Sequence, residues 1–184
     1  MKLFRNRIVV VLLAVVLVVC SVVFSAARGM KKSLRELEDS FFTTQNKGPM
    51  YYVDQIISAA ASAATVADHY DSLDAQAVRD ARSSMVKAEN ARDISDLYDA
   101  AEALSDAVSA LRTAAAGVDL TAQDKSAFSD AVNTIAGARR ELDECGYNER
   151  ALALIEENYR SFPGSLLSGL LNIDEPELFG LEGN

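Results

Sequence analysis

Apolar and polar positions along this chain fall into two regimes. From Ile8 to Ala27, twenty consecutive residues carry no charge, and at ~1.5 Å rise per residue such a run, if helical, covers the ~30 Å hydrocarbon core of a bilayer. Beyond Gly29 the apolar positions become periodic. Leu97, Ala101, Leu104, Val108 and Leu111 recur at intervals of 4, 3, 4 and 3, which places them on one helical stripe opposite Asp96, Asp99, Glu102, Asp106 and Arg112. Weaker stripes run through Val53, Ile56, Ile57, Ala60, Ala64 and Ala67, and through Val78, Ala81, Met85 and Ala88. Phe128, Val132, Ile135, Leu142, Cys145, Leu152, Ile155 and Tyr159 define a further one.

Helix breakers divide these stripes into three stretches. Lys31 to Tyr70 is interrupted only at Gly48-Pro49, Asp74 to Ala116 contains neither proline nor glycine, and Ala122 to about Ser161 ends before Pro163. Asn90, Asp93 and Ser95 can cap a new helix inside the second stretch, so one helix or two are compatible with it. Thr121 followed by Asp124 has the spacing of a capping arrangement. Three stretches of about 40 residues, each roughly 60 Å long if helical throughout, joined by Ser72-Leu73 and by Gly117 to Leu120, predict an all-α fold. The expected architecture is an antiparallel bundle of three to four long helices following an N-terminal transmembrane helix. A coiled-coil dimer gives similar periodicity, but heptads do not continue across Gly48, Gly117 and Gly146, which favours packing within one chain.

The apolar run has competing readings. Lys2, Arg5 and Arg7 ahead of it, and Ser25 and Ala27 just before Arg28, also fit a cleavable secretory signal. The run exceeds the 7 to 15 apolar residues of a typical signal core, which favours an uncleaved anchor. Lipid attachment at Cys20 is a third reading, weakened by the bulk of Val19. Three basic residues precede the run and four follow closely, at Arg28, Lys31, Lys32 and Arg35, so the positive-inside count decides nothing. The signal-like order of the head favours a single-pass cell-membrane protein with a cytoplasm-facing head and the bulk of the chain outside the cytoplasm. The expected organisation is a head and anchor over residues 1–29, a helical domain over 30–163, and an apolar ledge with an acidic tail over 164–184.

Charge narrows the partners. Residues 29–184 hold all 27 acidic residues but only 14 of the 18 basic ones, a balance of −13. A domain that acidic repels phosphate backbones and anionic headgroups, which excludes nucleic acid as an expected partner. The commonest meaning of the excess is a solvated surface. With Cys20 in the apolar run and Cys145 far downstream, the domain holds no disulfide framework, and Cys145 reads as a buried structural thiol. The single histidine, His69, stands between Asp68 and Asp71 at a helix end and reads as a solvated or capping residue. No nucleophile elbow, zinc-helix motif or phosphate loop is present, so no catalytic residue, cofactor or metal is expected, and the protein reads as a non-enzyme.

The most specific pattern lies at the carboxy-terminal end, YNERALALIEENYRSFPGSLLSGLLNIDEPELFG from Tyr147 to Gly180. Tyr147-Asn148, then Phe162-Pro163, an apolar stretch from Leu166 to Leu171, and a late Phe179 resemble the signature end of the LemA family. The N-terminal membrane helix ahead of a long helical domain is similar to that family too. Asn158-Tyr159 stands in reversed order to the second Tyr-Asn pair that members commonly carry. The resemblance implies an antiparallel helical bundle on a membrane anchor and company among other membrane proteins, without implying a chemical activity.

The residues themselves suggest physical roles. Tyr147 is expected to fill space between alanine faces with its hydroxyl reaching solvent or a carbonyl, and Asn148 to bond across to a neighbouring helix. Leu166, Leu167, Leu170 and Leu171 are expected to fold over the bundle end or to offer a docking surface. Two functions are compatible with all this. One is a membrane-anchored scaffold or interaction protein, tied to the bilayer through residues 8–27 and engaging another membrane or envelope protein. The other is an envelope small-molecule or ion binder, with a pocket between helices near His69, Tyr70 and Tyr147.

Overall fold

The computed structural model describes residues 7–43 and 47–179, with side chains from Val9 onward. Lys2 and Arg5 of the basic head, the Arg7 side chain and residues 180–184 of the acidic tail lie outside the described residues. All regular structure among the described residues is helical: α1 Arg7–Phe42, α2 Pro49–Ala67, α3 Ala75–Asn90, α4 Ile94–Ala115, α5 Ala122–Glu144, α6 Tyr147–Ile155 and α7 Gly164–Leu171. A π turn over Glu156–Arg160 follows α6.

Helix α1 is a single element. Its most apolar 18-residue window has a mean hydropathy of 3.1 and contains no buried residue, the composition and length of a membrane span. Further along, Met30, Leu37 and Phe41 are buried. The helix stops where Gly48 folds back to donate its N–H to Thr43 O at 3.0 Å. A Cβ at position 48 would stand 2.5 Å from the carbonyl oxygens of Ser40 and Thr43, so only glycine fits this return. Pro49 then opens α2, where its missing N–H costs nothing.

The chain divides by its packing into two compact units: Met1–Glu38 with Arg150–Pro176, and Asp39–Glu149 with Glu177–Asn184. In the second unit, α2 packs on α5, α4 and α3, α3 on α4, and α4 on α5. Tyr70, just past the end of α2, bonds Asp124 in the first turn of α5, so these helices run in opposite directions. Tyr98 and Glu102 near the start of α4 meet Arg139 near the end of α5, with the same consequence. Ala59, Ala60, Ala63 and Ala64 on α2 and Ala131 and Ala138 on α5 are all buried, which permits close approach of the helix axes.

Stripe positions are recovered where no break intervenes. Leu97, Ala101, Leu104, Val108 and Leu111 are all buried. On α3 the buried row is Ala77, Ala81, Ser84 and Ala88, leaving Val78 and Met85 half-buried. The predicted second stretch is two helices, broken over Ala91 to Asp93, so the domain holds more and shorter helices than three or four. The third stretch is also interrupted. Gly146 adopts φ +68°, a left-handed conformation that terminates α5, and Tyr147 begins α6 in a new phase. Tyr147 and Ala151 are buried, whereas Leu152, which the stripe included, is exposed. Cys145, at the end of α5, is only half-buried.

Candidate functional site

Three of the five signature residues converge. The side-chain amide of Asn148 donates from Nδ2 to the carbonyl of Phe179 at 2.7 Å and accepts from the N–H of Phe179 at 3.1 Å. Next to it on α6, Tyr147 stacks on the Phe179 ring, with centroids 5.5 Å apart and planes inclined by 26°. Phe41, from the last turn of α1, meets Tyr147 edge-on at 5.2 Å and Phe179 at 6.1 Å. Tyr98 of α4 closes the group 5.1 Å from Phe179. Aromatic pairs at such separations add to what their buried area contributes.

Position explains each participant. Gly146 turns the chain with its left-handed φ, and of the two residues that follow, Tyr147 meets Phe41 and Asn148 bonds Phe179. Tyr147 is fully buried, so of the two partners expected for its hydroxyl, solvent or a carbonyl, solvent is closed to it. Asn148 bonds not to a neighbouring helix but to the extended C-terminal segment, whose backbone has no ladder partner of its own. Two residues earlier, Glu177 places a carboxylate oxygen 3.0 Å from the N–H of Ile94, capping α4 where Asp93 makes no side-chain cap. The tail is thereby fixed at two points.

Beside the aromatic group lies a charged extension. Arg139 sits with its guanidinium 4.4 Å from the Tyr98 ring centroid and donates from Nη2 to the Tyr98 hydroxyl at 2.8 Å. Its other contacts are Glu102 at 3.4 Å and Asp143 at 3.7 Å. Burial, opposed by Arg139 and reinforced by Asp143, raises the Tyr98 phenol above its ordinary pKa and keeps it neutral. Sequence reasoning missed Phe41, Tyr98, Arg139 and Glu177. Tyr98 follows directly on Leu97 of the clean stripe, the only local hint of its placement.

The other signature pair is elsewhere. Phe162 and Pro163 belong to the first unit, joined by a cis peptide and both exposed. The four leucines divide: Leu167 is buried, whereas Leu166 is 63% and Leu170 78% exposed, with Leu171 at the margin of exposure. Leu167 packs with Met30, Ile155, Tyr159 and Ile173, and Val23, Ala26 and Ala27 of α1 lie against the same cluster. The ledge therefore folds over the final turns of the apolar run. Burial and the nearby carboxylates of Glu175, Glu38 and Asp174 raise the Tyr159 phenol above its usual range.

The residues suggested for a pocket do not meet. Tyr70 accepts from Thr121 N at 3.0 Å and donates to Asp124 at the start of α5, while Tyr147 lies beyond that helix's end. His69 is exposed in the turn after α2. A groove of about 700 Å³, open to solvent, instead runs between α2 and α5, lined by Tyr51, Asp54, Gln55, Ser62, Asp130 and Thr134. Partial shielding there holds the Asp54 carboxyl above its ordinary pKa. Among the described residues, no three metal-capable side chains converge.

No family model, curated protein or solved structure matches the chain. The aromatic group with its Asn148 clasp ties the end of α1 and the start of α6 to the C-terminal segment, a tertiary lock.

Proposed function

We propose that this chain is a single-pass membrane protein of LemA type, an antiparallel helical bundle held against the bilayer by an uncleaved α1 and lying outside the cytoplasm. It serves as a non-enzymatic scaffold or interaction partner for another membrane or envelope protein. The observation that carries this reading is the continuity of α1: one helix has an unburied apolar segment and, further along, the buried residues Met30, Leu37 and Phe41. A cleaved signal has no need to share a helix with the mature domain. The locking of Tyr147, Asn148 and Phe179 to one another supports the family resemblance, because it supplies a structural reason for those residue types at those positions.

The acidic outer row of α4 is the surface assigned to the partner. Asp96, Asp99 and Asp106 are exposed along it. Cross-linking in intact cells through a photoreactive residue at Ala103 is expected to yield one reproducible membrane-protein adduct from the wild-type chain, and none from the Asp99→Lys, Asp106→Lys double variant. An adduct pattern unchanged by the charge reversal would refute the assignment.

A second reading, an envelope small-molecule or ion binder, draws on the α2–α5 groove and on Asp54 at its lining, whose carboxyl is held above its ordinary pKa. Under it, the thermal midpoint of the solubilised full chain rises with a particular small solute, and Ser62→Phe, which fills the groove, abolishes the rise.

A further inference from the structure

The ledge is built in a way that a water-exposed surface does not explain. From Ser161 to Ile173, thirteen residues carry no charge in a chain where charged residues are otherwise frequent. Within this segment Phe162, Leu166 and Leu170 follow one another at four-residue intervals, and they are 79%, 63% and 78% exposed. Leu166 and Leu170 share one face of α7, and Leu167, next to Leu166 in sequence, is buried. The element therefore has an apolar side turned inward and another turned outward, the pattern of a helix that does not meet water on its exposed face.

What lies outside that face is fixed by what lies inside it. The cluster under α7 is packed against Val23, Ala26 and Ala27, the last residues of the uncharged run, and contains Met30, one turn later. The first charge after the run is Arg28, whose guanidinium lies 5.6 Å from the Phe24 ring centroid, an arrangement in which a long basic side chain marks the edge of the hydrocarbon. Exposed Lys31 and Lys32 follow within the next turn. If α1 spans, α7 thus sits at the depth where the span ends.

We infer that the Phe162, Leu166 and Leu170 face is a second membrane contact, inserted into the headgroup and upper acyl region of the leaflet from which α1 emerges. The inference rests on the anchor reading and goes beyond it. Gly164 allows the geometry: a Cβ at that position would run into the Asn158 carbonyl, so the chain can turn from the π turn into α7 only with glycine there. The basic residues Arg28, Lys31 and Lys32 add attraction to anionic headgroups, whereas Asp174 and Glu175 limit how far the segment enters. A ledge resting on lipid gives α1 a fixed rotation and tilt, because a helix held at one side of its exit cannot turn freely about its axis.

The chain contains no tryptophan, so single substitutions report depth without interference. Full-length Phe162→Trp, Leu170→Trp, Phe24→Trp and Val86→Trp variants are reconstituted at high lipid excess in phosphatidylcholine vesicles with and without acyl chains brominated near the headgroup. For Phe162→Trp and Leu170→Trp the expected result is a blue-shifted emission that loses roughly half its intensity in brominated lipid, as befits rings lying ~5–10 Å below the surface. Val86→Trp, at an exposed position of α3 in the other unit, supplies the reference intensity. Quenching of Phe24→Trp without quenching at positions 162 and 170 overturns the ledge contact and leaves the anchor standing. An unquenched Phe24→Trp removes the anchor itself. Unquenched ledge variants that form protein cross-links from position 170 in native membranes overturn the inference in favour of a protein occupant.

Discussion

Asn148 and Phe179 are joined by a two-point hydrogen bond, side-chain amide to backbone amide, that ties the carboxy-terminal segment to the first turn of α6. Asparagine suits the position because its amide carries a donor and an acceptor on two separate atoms, spaced to meet a backbone carbonyl and N–H together. Asn148→Asp removes the donor and sets a carboxylate beside the Phe179 carbonyl, so it is expected to cost about 1–3 kcal/mol. Urea unfolding of the solubilised full chain measures the loss. Amide exchange at Phe179 should accelerate in parallel, and unchanged protection there would contradict the clasp.

Phe179 carries the larger share of the lock. Its ring is nearly inaccessible and touches Phe41, Tyr98 and Tyr147. Phe179→Ala is expected to destabilise the protein by about 3–5 kcal/mol. Phe162→Ala, at an exposed ring, should fall within about 0.5 kcal/mol of wild type in detergent. Equal effects of the two substitutions would show that the signature phenylalanines do not divide as described.

Acid sensitivity follows from the Tyr70–Asp124 contact. Hydrogen bonds from Tyr70 and then Thr121 hold the Asp124 carboxyl below its ordinary 3.8. The folded-state value is thus the depressed one. The stabilisation it brings is fully present above the unfolded-state value and is lost as pH falls through the folded one. Asp124→Asn should therefore lower the thermal midpoint at neutral pH, and the gap to wild type should close in strong acid. A gap that stays constant over the whole range would mean that ionisation at Asp124 does not matter.

The glycines give opposite expectations at two sites. At Gly48 an added methyl group meets two backbone oxygens, so Gly48→Ala should cost about 1–3 kcal/mol through forced displacement. At Gly137, inside α5, nothing lies within 4 Å of an added Cβ. Gly137→Ala should raise stability by about 0.5–1 kcal/mol, the usual gain from replacing a mid-helix glycine. Thermal melts of the two variants decide both.

How far the sequence revealed this arrangement depends on the range of the interaction. The α4 stripe was legible because every residue from Leu97 to Leu111 obeys one helical phase with no interruption. The Thr121–Asp124 cap was legible for the same local reason, and Thr121 Oγ1 does accept from the N–H of Asp124 at 3.1 Å. Gly146 was legible as a break in the heptads, but the apolar stripe was still carried across it from Leu142 to Leu152, since a glycine declares its left-handed φ only when the surrounding packing demands it. Past that break Leu152, a member of the stripe, is exposed. The aromatic lock brings together residues 41, 98, 147 and 179, and contacts over such separations leave no periodic trace. Among the ledge leucines, alternation between Leu166 and Leu167 is invisible until α1 is seen beneath them.

The proposed retention of α1 as a bilayer span that carries the helical domain is open to one direct fractionation. Membranes from cells expressing the native chain are washed with alkaline carbonate, and the mass of the retained protein is determined intact. The expected result is a membrane-retained species that includes the Ile8 to Ala27 run. A soluble species whose mass begins at Arg28 would contradict it.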